Sequence, residues 1–193
     1  RNALEANLRG FDRVRSGHPL IPAAVAIVVL DDGGHPAIPI FQRTSNMSRH
    51  ASQMALPGGR LHDGEDAAAC AIRELHEELG LAASSEDVVG LLDDFDTRSG
   101  FTITPVVIYS GAAAAALQPS GFEVALLFVI RLEELRFAAT HISHGASSDF
   151  SLQLQQVQVF APTAAILYQF SEVALEGRSV RVADFYQPPF THR

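Results

Sequence analysis

Between the turn Pro57-Gly58-Gly59 and the stop residue Gly80 lies a stretch, Asp66 to Leu79, with neither proline nor glycine. Ala68, Ile72, Leu75 and Leu79 fall in it at i, i+4, i+7 and i+11, which predicts a helix with one apolar stripe facing a core. Glu65 and Asp66 are placed in its first turn, where the helix dipole favours negative charge, and Gly80 supplies the left-handed stop. Glu74, Glu77 and Glu78 sit at i, i+3 and i+4, so their carboxylates share a neighbouring surface. Three like charges repel there. Such a face is either solvated or neutralised by a cation, and oxygen-only ligands are what Mg²⁺ or Mn²⁺ prefers.

The rest of the chain supplies elements for this helix to pack on. Leu4, Leu8 and Phe11 predict a short N-terminal helix, followed by a strand from Ala23 to Leu30 and a turn at Asp31-Asp32-Gly33-Gly34. Further strands are predicted at Ile38 to Gln42, Val88 to Asp93, Thr102 to Ser110 and Glu123 to Ile130. Ala112 to Ala116, flanked by Gly111, Pro119 and Gly121, reads as a flexible surface loop. Phe150, Leu152 and Leu154 alternate as in a half-buried strand that resumes at Val157 and Val159, with a bulge at Gln155 and Gln156. Pro162 and Thr163 open a helix to about Leu175 with Leu167, Phe170 and Ala174 on one side. Without repeats or a long linker, residues 1–193 read as one domain.

Gly59 to Leu81, GRLHDGEDAAACAIRELHEELGL, fits the pattern G-x5-E-x7-R-E-U-x-E-E-x-G-U, U being aliphatic, at every defined position. The fixed letters are Gly59, Glu65, Arg73, Glu74, Glu77, Glu78 and Gly80, with Leu75 and Leu81 as the aliphatic pair. At ~7% usage per letter, chance agreement at one start is on the order of 10⁻⁹. The segment resembles the catalytic box of the Nudix hydrolases. That resemblance implies an α+β fold, a mixed sheet between helices with the box as a loop-helix-loop. It also implies roles: Glu74 and Glu78 as principal metal ligands, Glu77 as a further ligand or base, and the Gly58 carbonyl as a backbone ligand. Glu65 would bind a second metal or support the loop, and Arg73 would hold the glutamates in place. The physical logic agrees, since metal ions neutralise a diphosphate and lower the pKa of water.

A narrower resemblance covers most of the chain. PAAVAIVVL, RTSNMSRHASQMALPGG, LLDDFDTRSGFTITPVV and GFEVALLFVIRLEEL are similar to the coenzyme A diphosphatase branch of that family. The branch signature R-S-x3-R-x3-G-x3-F-P-G-G is met by Arg43 and Thr44 at its start. Ser48, Ser52 and Leu56 depart from it, with Arg49 adjacent to replace the missing charge. These departures leave the box intact and bear on the substrate. Arg43 and Arg49 are therefore candidates for phosphate binding. Arg98, in the TRSGF turn, touches phosphate or is merely exposed, and Glu123 is a base, an outer metal ligand or a structural edge residue. The resemblance makes coenzyme A the leading substrate, with products 3′,5′-ADP and 4′-phosphopantetheine, and allows a homodimer. The rivals are ADP-ribose, a nucleotide sugar or a dinucleotide as substrate, or a non-catalytic nucleotide-binding domain. Loss of box glutamates would mark the last, and none is lost.

Composition narrows the partners. All 14 basic residues are arginine, which excludes a Schiff-base lysine and a P-loop lysine. A net charge of −8 without a basic stripe argues against a nucleic-acid polymer, and no apolar run reaches membrane-spanning length. The lone Cys70 can form neither an intrachain disulfide nor a thiolate cluster and reads as a packing residue. His141 and His144 have i, i+3 spacing but no third ligand nearby, and His50 and His62 flank the box as surface residues or substrate contacts. A cytoplasmic address is the expectation in the absence of a secretory pattern.

Overall fold

A computed structural model describes residues 1–44, 53–140, 150–155, 157–185 and 187. The chain opens with α1 (Asn2–Arg9), then β1 (Ile21–Asp32) and β2 (His35–Arg43), then the short strands β3 (Met54–Ala55) and β4 (Gly58–Arg60). The helix α2 (Ala67–Leu79) follows, then β5 (Val88–Leu91), β6 (Phe95–Asp96), β7 (Phe101–Ala113) and β8 (Val124–Arg131). The remaining elements are α3 (Leu132–Thr140), the hairpin β9 (Ser151–Leu154) and β10 (Val157–Phe160), and α4 (Thr163–Gln169), which runs on as a π-helical turn, Phe170–Leu175. The architecture is the mixed α+β arrangement the sequence predicts.

The central strand β1 pairs in parallel with β7, from Ile21 opposite Phe101 to Val29 opposite Tyr109, before its register shifts. Its other edge is shared: Ala23, Ala24 and Val25 face β4, while Leu30 to Asp32 face the start of β2 in a hairpin. β2 in turn carries β8 and β3, both antiparallel, while β5 and β6 line the far side of β7. Because side chains alternate across a strand, β1 feeds two cores. Ala24, Ala26, Val28 and Leu30 meet Cys70, Ala71, Leu75 and Leu79 of α2. Ile27 and Val29 face the opposite core, built from α1, α3, α4 and the π turn. Burial on both faces explains why β1 is apolar almost without interruption.

Helix α2 departs from expectation in its rotation. Asp66 is the N-cap rather than a first-turn residue, its Oδ1 accepting from the Ala69 amide at 2.8 Å. The buried stripe is Cys70, Ala71, Leu75, Glu78 and Leu79, whereas Ala68 and Ile72 are only half-buried at its margin. Small side chains decide this: Ala24 and Ala26 on β1 admit Cys70 and Ala71, drawing that face closest to the sheet. Gly80 ends the helix at φ 67°, as predicted. Leu75 has no exposed surface, so Leu75→Ala should cost ~2 to 5 kcal/mol, read as a lower melting temperature. An unchanged melting temperature would show that the helix is not anchored there.

Three other expectations change. The alanine-rich segment ends β7 at Ala113 and forms a 3₁₀ turn, Ala114–Ala116. It leads to Gln118 and Ser120, whose amides donate to the Leu79 and Glu78 carbonyls at 2.8 Å each, so this loop satisfies the open end of α2. The slip near Gln155 is a hairpin, not a bulge: Leu154 lies opposite Val157, and Gln155 has a left-handed φ of 48°. α3, which the sequence reading missed, lays Leu132, Leu135, Ala138 and Ala139 on the core. Among the described residues no helix is long and apolar enough to cross a membrane.

Candidate active site

The box is held at one edge of β1. Pairing of Val25 with Gly58, and the 2.7 Å hydrogen bond from the Ala26 amide to the Pro57 carbonyl, fix the Pro-Gly-Gly turn to the central strand of the sheet. Gly58 is there because nothing larger fits. A Cβ would overlap the Ala24 carbonyl oxygen and lie 2.6 Å from Val25 Cγ1. At Gly59 a Cβ would overlap Glu74 Oε1 and lie 2.5 Å from Glu74 Cδ. The glycine pair thus lets the turn backbone approach both β1 and the glutamate face of α2.

That face is divided between two arginines. Arg73 donates from Nε and Nη2 to the two oxygens of Glu65 at 2.9 and 3.0 Å, and from Nη1 to Glu74 Oε1 at 2.7 Å and Glu77 Oε2 at 3.2 Å. Its Nη2 also reaches the Arg60 carbonyl at 3.1 Å, tying the helix to the end of β4. These bonds hold the Glu65 carboxyl down at about 2, with the His62 amide helping and burial opposing. The Arg73 guanidinium is correspondingly raised by Glu65 and Glu74. Glu77, with a side chain 57% exposed, is the outward member of the group.

Glu78 belongs to the other arginine. It is 1% exposed, because Leu75 and Leu79 carry its side of the helix into the core. Its Oε2 accepts from the Gly58 amide at 2.9 Å, and its Oε1 lies 3.3 Å from Arg43 Nη2 without a hydrogen bond. Burial pushes this carboxyl up to about 8, against the pull of Arg43 and the Gly58 amide. Arg43, the last residue of β2, also donates from Nη2 to the Gly58 carbonyl at 3.2 Å, and its Nη1 is 3.7 Å from Glu123 Oε2. The β2–β8 ladder brings Glu123 here: Arg43 is opposite Val124, and the Thr44 amide donates to the Glu123 carbonyl at 3.0 Å.

Among the described residues no three acidic, imidazole or thiol groups close into a metal-binding cluster. The carboxyl groups are instead divided between two arginines, Glu65, Glu74 and Glu77 facing Arg73 and Glu78 and Glu123 facing Arg43. The donor set nevertheless fits a hard divalent cation. Glu78 presents a buried oxygen lacking a hydrogen-bond donor, the Gly58 carbonyl is adjacent, and every candidate ligand is oxygen.

A cavity of about 630 Å³ opens beside this point, with Gly58, Gly59, Arg43 and Arg60 among its lining residues. Val25, Met54, Phe101, Ile103, Phe160 and Ile166 supply much of its apolar wall. Arg60 stacks on Phe101, with its guanidinium carbon 5.0 Å from the ring centre. The structure brings Glu65, Arg73, Glu74, Glu77, Glu78, Gly58, Arg43 and Glu123 together. Arg98 is not in contact with the box glutamates in any described bond: it is exposed, and its amide and Nη1 donate to Gln187, a cavity residue, at 3.0 and 3.4 Å. Arg49, Ser48, Ser52, His50, His141 and His144 lie outside the described residues. Arg60, Gln187, Thr97 and the β10–α4 segment are cavity walls that sequence reasoning missed. Only the Arg60 position, next to the box glycines, offered a local signal. Cys70 is buried with its thiol pushed up to about 11, in keeping with a packing residue.

A model of the NUDIX domain matches residues 20–148, spanning the sheet, the box helix and the Arg43–Glu123 pair. The chain belongs to the Nudix family. A Pectobacterium atrosepticum protein named uncharacterized Nudix hydrolase NudL is 33% identical over 145 residues, covering 70% of this chain and 74% of the relative. A Citrobacter koseri protein of the same name is 40% identical over 87 residues, a match spanning only 44% of each. The crystal structure of a Nudix hydrolase from M. smegmatis, RenU, superposes with a TM-score of 0.51 at 20% identity over 83% of this chain and 89% of that one, a likeness of fold. The box lies on a helix flanked by loops, consistent with the loop-helix-loop that the resemblance implies.

Proposed function

We propose that this Nudix hydrolase is a divalent-metal-dependent diphosphatase acting on coenzyme A, which it splits into 3′,5′-ADP and 4′-phosphopantetheine. The supporting observation is the position of the cavity. Gly58, Gly59 and Arg43 line it, and these residues touch Glu78 and Glu74, so a ligand in it lies next to the box and its phosphates are assigned to that side. Glu74 and Glu78 are assigned to hold Mg²⁺ or Mn²⁺, with the Gly58 carbonyl as backbone ligand and Glu77 and Glu65 as further oxygen donors. When bound, such a cation neutralises phosphate charge and lowers the pKa of water. The protein's own residues do the rest. Arg73 restrains Glu65, Glu74 and Glu77 through its fork of donors, and its charge holds the Glu65 carboxyl low. Glu77 and Glu123, the more exposed carboxylates, are assigned to take the proton of the attacking water. Arg43 and Arg49 are assigned to substrate phosphate.

In a lysine-free protein, the 3′-phosphate of coenzyme A must be met by arginine, histidine, backbone amides or metal. Coenzyme A should therefore be preferred to dephospho-coenzyme A, each tenfold in kcat/KM being worth ~1.4 kcal/mol. Product analysis over coenzyme A, dephospho-coenzyme A, ADP-ribose, NADH and dinucleoside polyphosphates tests this. Turnover of ADP-ribose or a dinucleotide without turnover of coenzyme A would overturn the substrate while leaving the hydrolase intact.

A further inference from the structure

Arg43 stands where the proposed chemistry needs a cation. Its guanidinium spans the Gly58 carbonyl at 3.2 Å, Glu78 Oε1 at 3.3 Å and Glu123 Oε2 at 3.7 Å. Two of these oxygens are candidate metal ligands and the third is a candidate base or outer ligand. Its side chain is only 16% exposed, so it is a partly desolvated charge rather than a solvated surface arginine. It also forms part of the cavity wall. The geometry points to Arg43 as an exchangeable internal counter-ion. It occupies the space between Glu78 and Glu123 while no metal is bound, and on metal binding it is displaced into the cavity to hold the substrate's diphosphate. This inference rests on the metal-binding reading above.

The argument is one of charge and space. Glu78 Oε1 is buried and accepts no hydrogen bond, so Arg43 lies close to it without satisfying it. A small divalent ion offers more charge at a shorter distance and satisfies that oxygen directly. The Gly58 carbonyl and Glu78 Oε1 cannot serve both cations at full strength, so binding one weakens the other. Arg73 is unlike this. Its fork is filled by Glu65, Glu74, Glu77 and the Arg60 carbonyl, and it has no place on the cavity wall. The two arginines thereby divide the work: Arg73 is a fixed clamp, and Arg43 couples the state of the metal site to substrate binding.

Opposite effects of one substitution test this. In Arg43→Gln the internal competitor is gone, and the affinity for Mn²⁺, titrated calorimetrically without substrate, should tighten by roughly tenfold. The KM for the cleaved substrate should rise, because the phosphate has lost its arginine. Arg131→Gln removes the same charge at the Asp32 pair on the sheet's far end and should leave both quantities unchanged. Arg43→Lys keeps a charge that cannot bridge the three oxygens, and should shift Mn²⁺ affinity the same way by a smaller factor. It decides the matter if the glutamine variant fails to fold. Unchanged or weaker Mn²⁺ binding in a folded Arg43 variant would overturn the exchange. Failure of the wild-type protein to bind Mn²⁺ would instead remove the metal reading itself, and the exchange with it.

Discussion

Glu78→Gln should abolish turnover and, in metal-free protein at pH 8, raise the melting temperature. The first effect follows from placing the substitution among the candidate ligands, where even outer-shell changes cost ~10 to 100-fold, so a loss of at least that size is expected. The second follows from the buried carboxyl. Its folded value is about 8 against an ordinary 4.5, so the unfolded chain ionises first as pH rises. The folded protein therefore has its full share of stability below pH 4.5 and loses it progressively up to about pH 8. Arg43 and the Gly58 amide both favour the charged form, yet burial outweighs them, so the neutral form is the better fit to this site. Glutamine imitates that form, and the gain at pH 8 should be on the order of a few kcal/mol, less whatever Arg43 loses. Melting curves with chelator at pH 5 and pH 8 should show the wild type falling relative to the variant, and Mn²⁺ should stabilise only the wild type. A well-folded variant with near-wild-type turnover would defeat the ligand assignment. Identical pH dependence of the two melting temperatures would defeat the argument from burial.

What the sequence made legible was local. The spacing of Glu74, Glu77 and Glu78, the breaker at Pro57-Gly58-Gly59 and the stop at Gly80 all lie within one turn-helix-turn, so position along the chain implies position in space. The rotation of α2 was less legible. Ala68 and Ile72 match a helical stripe as well as Ala71 does, and the choice is made by Ala24 and Ala26 on a strand some forty residues earlier. The β9–β10 hairpin was misread because alternation continues on both sides of Gln155, and nothing but its left-handed φ reveals the reversal. Arg43 was recognised as a candidate phosphate ligand, but its pairing with Glu78 was invisible, since the β2–β8 ladder and the β1–β4 pairing must both exist before the two side chains meet. The same holds for Gln187, whose side chain locks a distant segment to the Asp96–Arg98 turn through bonds of 2.8 and 3.0 Å.

The two box glycines should fail in different ways when each is replaced by alanine. At Gly58 the new methyl would press on the Ala24 carbonyl and lie 2.9 Å from Val25 Cα, both backbone atoms of the central strand. β1 cannot yield without disturbing its pairing with β7 and β4, so Gly58→Ala should cost ~1 to 3 kcal/mol or more, as other overpacked cores do. At ~2 to 4 °C per kcal/mol for a chain of this size, that is a melting-temperature loss of several degrees. At Gly59 the three atoms nearest the methyl all belong to the carboxylate end of Glu74, a side-chain end that can give way at the expense of its bond to Arg73, where backbone cannot. Gly59→Ala should therefore leave the melting temperature within ~2 °C of wild type. It should still reduce turnover by ~10 to 100-fold, because Glu74 moves off its assigned position and off its 2.7 Å bond to Arg73. Paired thermal melts and turnover assays separate the two outcomes. Equal destabilisation by both substitutions, or full activity in Gly59→Ala, would mean that the close approach of Gly59 to Glu74 does not position a catalytic group.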